Sequence, residues 1–280
     1  MTQVHVTPQP PWRAGTMTDE NIADALACSP KLIRDAIDAW DRKSLTGLVA
    51  ERHHGAQTCV RLAVAHALHV VAGLPMTDAA AIASGSWQVG ASLLKIVEFH
   101  PPRVNGGARQ DGMGLDPLML FAPHAVEAIP VAAADEYLDV VDGRRVYWRK
   151  PRRDSYAFAC ELHRLSCATS LEDTPALQEE YLELLASLRA PVDHVCEWIG
   201  TVAEGRFRAA PDRYSEGSPA MRQGPASPPR AGGFVDNYAS KVSVNVSLAA
   251  RSMKRRALGL QVTSPLTGKT STGKERRTTR

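Results

Sequence analysis

Between residues 17 and 40 the apolar positions follow a helical period that breaks once and restarts. Thr18 is placed to cap a first helix, and Asp19 and Glu20 follow in its first turn, where acidic groups suit the positive helix end. Ile22, Ala25 and Leu26 give that helix one apolar face, and the small Ala23 allows a close helix neighbour. At Cys28-Ser29-Pro30 the chain stops and restarts, because Ser29 is a good N-cap and Pro30 fits the first helical position. Ile33, Ala36, Ile37 and Trp40 then recur at i, i+3, i+4 and i+7, with Lys31, Arg34, Asp35 and Asp38 on the opposite face. The pattern predicts a helical hairpin.

Helical spacing continues over residues 57–72, with Val60, Val64, Leu68 and Val71 on one face and Gly73 as the stop. Met76-Thr77-Asp78 opens a second helical hairpin, with its turn near Ser84-Gly85-Ser86, expected to bury the apolar face of the first. Beyond the Pro- and Gly-rich residues 101–116 the period changes, with short apolar runs LMLF and IPV and then EYLDVVDGRRVYWR, in which Asp142-Gly143 reads as a type I′ hairpin turn. Three helices are expected next, over 155–167, 175–189 and 191–205, the last on Val192, Val195, Ile199 and Val202. Val242, Val244 and Val246 alternate as a strand does, and Leu248, Met253 and Leu258 lie along a basic helical stretch.

The division expected from these shifts is a flexible arm at 1–15, which holds three prolines, and a helical domain at 16–100. A linker follows at 101–116, then an α+β domain with a basic hairpin at 117–208. A Pro/Gly-rich linker at 209–233 and a basic segment with a disordered tail at 234–280 complete the chain. The fold class is mainly α with a small β-hairpin element, that is, α+β.

The run IADALACSPKLIRDAI resembles the helix-turn-helix of bacterial DNA-binding regulators, with Ser29 starting the recognition helix. Its SPKLIR segment is similar to the equivalent stretch of MerR-type winged helices. Leu32 stands where that family usually has Thr, Ala27 where many helix-turn-helices have Gly, and Asp35-Ala36 where aromatics follow. The resemblance covers residues 17–40 only. It implies a recognition helix that touches DNA through Lys31 and Arg34, with Ser29 offering its cap to a phosphate.

Charge changes this picture. The chain carries +3 overall, but residues 241–280 hold ten Lys and Arg against one acid, which leaves the first 240 residues at −6. Residues 1–60 have six Lys and Arg against seven acids, so the cations that neutralise phosphate must come from elsewhere. Arg144, Arg145 and Arg149, interleaved with Tyr147 and Trp148, suit a wing or a nucleic-acid strand platform. Arg251, Lys254, Arg255 and Arg256 extend the expected DNA contacts, and the basic tail acts as a non-specific anchor. An alternative wing is the segment with Arg42, Lys43, Gly47 and Arg52.

Other chemistries find less footing. Five cysteines at irregular spacings argue for reduced thiols, and no apolar run reaches 18 residues, so a cytoplasmic protein without a membrane span is expected. Cys160, His163 and Cys167 fall on one helix face and could join His194 or Cys196 around zinc, but buried small cysteines explain them more simply, and no metal or cofactor is expected. His66 and His69 are read as a solvated face. GKTSTGK at 268–274 lacks the Ser or Thr, the strand and the helix of a phosphate-binding loop. No catalytic constellation emerges. The expectation is therefore a DNA-binding transcriptional regulator or mobile-element accessory protein. The leucine-bearing helices are available to pair two subunits, and the sequence names no effector. The alternatives are a protein–protein adaptor with a basic tail and, behind it, a metal-dependent enzyme.

Overall fold

The computed structural model describes residues 11–41, 53–97, 135–172, 174–187, 192–210, 239–259, 262–263 and 270–271. The expected linker at 101–116, all of the expected linker at 209–233 beyond Ala210, the LMLF and IPV runs, the alternative wing at 42–52 and the cations of the tail lie outside these residues.

The helices are α1 (Pro11–Ala14), α2 (Asp19–Leu26), α3 (Pro30–Asp41), α4 (Ala56–Ala72), α5 (Met76–Gly85), α6 (Trp87–Val97), α7 (Ser155–Glu172), α8 (Pro175–Ala186) and α9 (Val246–Ala257). The strands are β1 (Tyr137–Val141), β2 (Arg145–Pro151), β3 (His194–Ala203), β4 (Arg206–Ala209), β5 (Lys241–Asn245), β6 (Val262–Thr263) and β7 (Thr270–Ser271). The fold is α+β, and its sheet is larger than a hairpin: β4-β3-β2-β1-β5, antiparallel throughout. Within the expected disordered tail, β6 and β7 pair antiparallel.

Both ends of the α2–α3 hairpin are fixed by local hydrogen bonds. Thr18 and Asn21 form a capping box at the start of α2. At its end the Cys28 N–H donates to the Ala23 carbonyl (2.9 Å) and the Ala27 N–H to the Asp24 carbonyl (3.2 Å), the paired bonds of a Schellman motif. That motif places Ala27 in the left-handed region, at φ 56°. Replacing Ala27 with Gly removes the Cβ strain there and should stabilise the protein by about 0.5–1 kcal/mol in denaturant titrations. Ser29 restarts the chain, its Oγ accepting from the Leu32 N–H at 3.3 Å. His54 clips the start of α2 from outside: its N–H donates to the Met17 carbonyl (2.8 Å) and its Nε2 lies 2.7 Å from Asp19 Oδ1.

α4 is apolar nearly all round, burying Cys59, Val60, Leu62, Ala63, Val64, Ala65 and Leu68, so it sits centrally. The expected stripe ends early, because Val70 and Val71 are exposed. Five consecutive alanine and isoleucine positions of α5, Ala79 to Ala83, are also buried, the small side chains allowing close approach. One core joins these helices to Leu138, Val140, Val146, Trp148, Val202 and Val244 of the sheet and to Val246, Ala250 and Met253 of α9. The packing therefore runs across the linker expected between a helical and an α+β domain.

Two expectations are corrected. Residues 11–15 are not part of a free arm: Pro11–Ala14 forms a helical turn and Trp12 is buried in the core. Residues 194–203 form a strand rather than a helix. The segment is rich in β-branched and aromatic residues, and Glu204-Gly205, with φ of 53° and 70°, turns it back into β4. The helical spacing of its valines was not a buried stripe: Val195 is exposed, and the buried positions Ile199, Gly200 and Val202 flank the register shift between Val146 and Tyr147, where a bulge interrupts alternation. The hairpin at Asp142-Gly143 matches its expectation, with φ of 52° and 68° and the Arg144 N–H donating to the Val141 carbonyl.

Candidate nucleic-acid interface

On α3 the apolar stripe is inward, with Ile33, Ala36 and Ile37 buried, and Trp40 Nε1 donates to the Ala80 carbonyl of α5 at 2.6 Å. Lys31 and Arg34 stand on the exposed side with Ser29. Arg34 lies 3.8 Å from Glu20, an exposed pair that costs little to separate. Glu20, Asp24, Asp35 and Asp38 are exposed on the same two helices, so this surface alone is not basic.

The hairpin cations divide. Arg144 is exposed at the β1–β2 turn, its carbonyl accepting from the Val202 N–H at 2.8 Å. Arg145 pairs with Asp142, whose other oxygen accepts from the Ala239 and Ser240 N–H groups. Arg149 is bound to the buried Asp139 (3.1 Å), which Lys241 also meets (3.0 Å), and its guanidinium lies over the Tyr137 ring. Burial pushes the Asp139 carboxyl up, but hydrogen bonds from Arg149, Ser243 and Lys241 together outweigh it and hold it below the usual range. By register Tyr147 faces Trp198, and Arg149 faces Cys196, across β2 and β3.

The basic stretch of α9 is corrected most. Arg251 is fully buried and pairs with the buried Asp135, while Asn245, which caps α9 through Leu248, donates to the same carboxylate at 2.7 Å. Lys254 is buried and donates to the Val97 carbonyl at the end of α6, and Arg256 donates to the Ala25 carbonyl near the end of α2 at 3.3 Å. Arg255 is buried as well. Cations at helix C-termini satisfy carbonyls that have no partner within the helix. These side chains hold α2, α6 and α9 together, and Arg251, Lys254 and Arg255 are out of reach of a nucleic acid in this conformation.

Beside Asp135, Glu136 accepts from Ser92 and from Trp148 Nε1 (2.8 Å), bridging α6 and β2. Burial pushes its carboxyl up against the opposing pull of those hydrogen bonds. Because the folded state holds this proton to higher pH than the unfolded chain, stability falls as pH rises from the ordinary glutamate range through the folded value. Glu136→Gln keeps a partner for both neighbours and never ionises. Its stability relative to the parent should therefore rise as pH is raised above the ordinary glutamate range. Parallel denaturant midpoints read the effect, and a pH-independent difference would refute it.

Among the described residues no group of three or more His, Cys, Asp or Glu could hold a metal ion. The side chains of His163 and Cys167 lie outside the described residues, and burial raises the Cys160 and Cys196 thiols. The His66–His69 face is half-buried rather than solvated: His69 Nδ1 lies 2.7 Å from the Leu74 carbonyl, and burial, then His69, then Arg256 lower the His66 pKa. No described helix is long and apolar enough to cross a membrane.

Arg206 and Arg208, exposed on β4, were missed because their segment was read as lying beyond a helix. The signal was Glu204-Gly205 between Val202 and Phe207, a turn dipeptide flanked by strand residues. In comparisons with protein-family models, curated proteins and solved structures, nothing matches this chain.

Proposed function

We propose that this is a cytoplasmic DNA-binding protein, a transcriptional regulator or mobile-element accessory protein, and that α3 is the helix it presents to DNA. The observation that carries the reading is the α2–α3 pair itself. A Schellman turn at Ala27 and a Ser29 cap orient α3 so that its apolar stripe is held by the core. Lys31 and Arg34 then remain exposed on the other side. Exposed Arg144 is the second contact this reading retains, while Arg145 and Arg149 reach DNA only by leaving Asp142 and Asp139.

Arg34→Ala tests it, since the residue is exposed and its loss leaves the core intact. In anisotropy titrations against duplexes selected from a random pool, affinity should fall by about 1–3 kcal/mol if Arg34 reads a base. A phosphate contact would instead give a uniform loss across sequences and a salt slope reduced by about 1. Unchanged affinity in a variant that melts like the parent would exclude this role for α3. The adaptor reading draws on exposed Trp87, Leu182 and Trp198, which offer apolar area to a protein partner, and it gains if the parent binds no duplex.

A further inference from the structure

The five-stranded sheet has two unlike faces. On the inner one, Leu138, Val146, Val202 and Val244 join the core with α4, α5 and α9. Phe207 belongs to that side, its ring filling the space a Cβ would take at Gly85 or Gly200. Alternation along β4 therefore turns Arg206 and Arg208 to the outer face. The register carries this assignment across the strands. Arg208 is opposite Thr201, and Thr201 opposite Arg145, which leads through Val141 to Lys241 on β5. In the next row Trp198 stands beside Tyr147, and in the row after it Cys196 beside Arg149 and Tyr137.

This outer face combines rings with positive charge. Trp198 is 42% exposed, and its indole N–H donates to the Gly200 carbonyl at 2.9 Å, which fixes the ring's orientation. Tyr147 is half-buried next to it. The cations of the face are Arg145, Arg149, Arg206, Arg208 and Lys241, against Asp139 within it and Asp142 and Glu204 at the two hairpin turns. Asp139 is shared by Arg149 and Lys241, so that cluster keeps a net positive charge. Arg206 and Arg208 are exposed, and among the described residues neither is in an ion pair. Cations that track phosphates beside a ring that stacks bases are what an unpaired nucleic-acid strand requires.

We propose that the outer face of the sheet binds single-stranded DNA, with a base stacked on Trp198 and neighbouring phosphates on Arg206 and Arg208. A duplex keeps its base faces stacked on one another, so the indole serves only an unpaired strand. An apolar protein surface would have to strip water from the guanidiniums around that ring, at a cost an anionic strand does not meet. The choice of DNA over RNA rests on the reading given above, but the surface uses neither Lys31 nor Arg34.

Anisotropy titration of the full chain against labelled strands of about 15 nucleotides, one of deoxythymidine and one of uridine, tests it. The deoxythymidine strand should bind at low salt. Trp198→Ala should weaken that binding by about tenfold with an unchanged salt slope, because a stacking contact alone is lost. Trp198→Phe, which keeps a ring, should lose less. Arg206→Ala and Arg208→Ala should each reduce the slope of log K against log salt by about 0.7, the single-strand value for one phosphate, and melt like the parent. Arg34→Ala should leave strand binding unchanged while weakening duplex binding, so the two surfaces fail separately. The proposal is overturned if the deoxythymidine strand does not bind, or if both arginine variants keep the parent's affinity and salt slope. It is equally overturned if Trp198→Ala, melting like the parent, binds the strand as the parent does. Tighter binding of the uridine strand would overturn the assignment to DNA.

Discussion

Arg251→Met is expected to destabilise the protein by about 3–5 kcal/mol, because it strips the guanidinium from a carboxylate that stays buried. Arg251 and Asp135 are each fully buried and paired, on α9 and just before β1. Met keeps most of the side-chain volume, so the loss reports the charge rather than a cavity. Adding Asp135→Asn should recover part of it, since the amide no longer needs a cation and Asn245 remains beside it. A DNA contact would behave in the opposite way, with affinity and salt slope falling while the denaturation midpoint stayed put. A midpoint unchanged in Arg251→Met would therefore restore Arg251 to the surface role its sequence suggests. The same logic separates Lys254 and Arg256, whose partners are carbonyls of Val97 and Ala25, from exposed Lys31 and Arg34.

What could be read along the chain was whatever is decided within a few residues. The Thr18 cap, the Ser29 cap, the stripe on α3 and the left-handed pair at Asp142-Gly143 are local choices, and each is where its pattern placed it. The α9 cations failed for the opposite reason. Arg251 meets a carboxylate 116 positions away, Lys254 a carbonyl 157 away and Arg256 one 231 away, distances over which sequence pattern carries no information. A basic helical stretch looks the same whether it faces water or the ends of other helices. β3 failed for a different reason again. Val192, Val195, Ile199 and Val202 are spaced as a helical stripe, but Val195 is exposed and a bulge at the β2–β3 register shift puts Ile199, Gly200 and Val202 inward, in a segment otherwise typical of a strand. The exposed side of α3 was local enough to read, whereas the packing of β4 against α5 needed the corrected strand.

Gly200 is where that bulge can be tested. At φ 155° it stands in a region L residues avoid, and a Cβ there would meet the Arg208 backbone carbonyl and come within 2.7 Å of Phe207 Cζ. The carbonyl belongs to β4, paired with β3 through Gly200↔Ala209 and Thr201↔Arg208, so it cannot retreat without breaking the ladder. Gly200→Ala should cost about 2–4 kcal/mol, combining overpacking with the backbone penalty. Gly143→Ala is the control: its φ is +68°, nothing lies within 4 Å of the added Cβ, and the cost should be the backbone penalty alone, about 1 kcal/mol. The difference between the two variants in denaturant titrations measures the steric contact of β3 with β4. Equal losses would mean that the strands relax freely around residue 200.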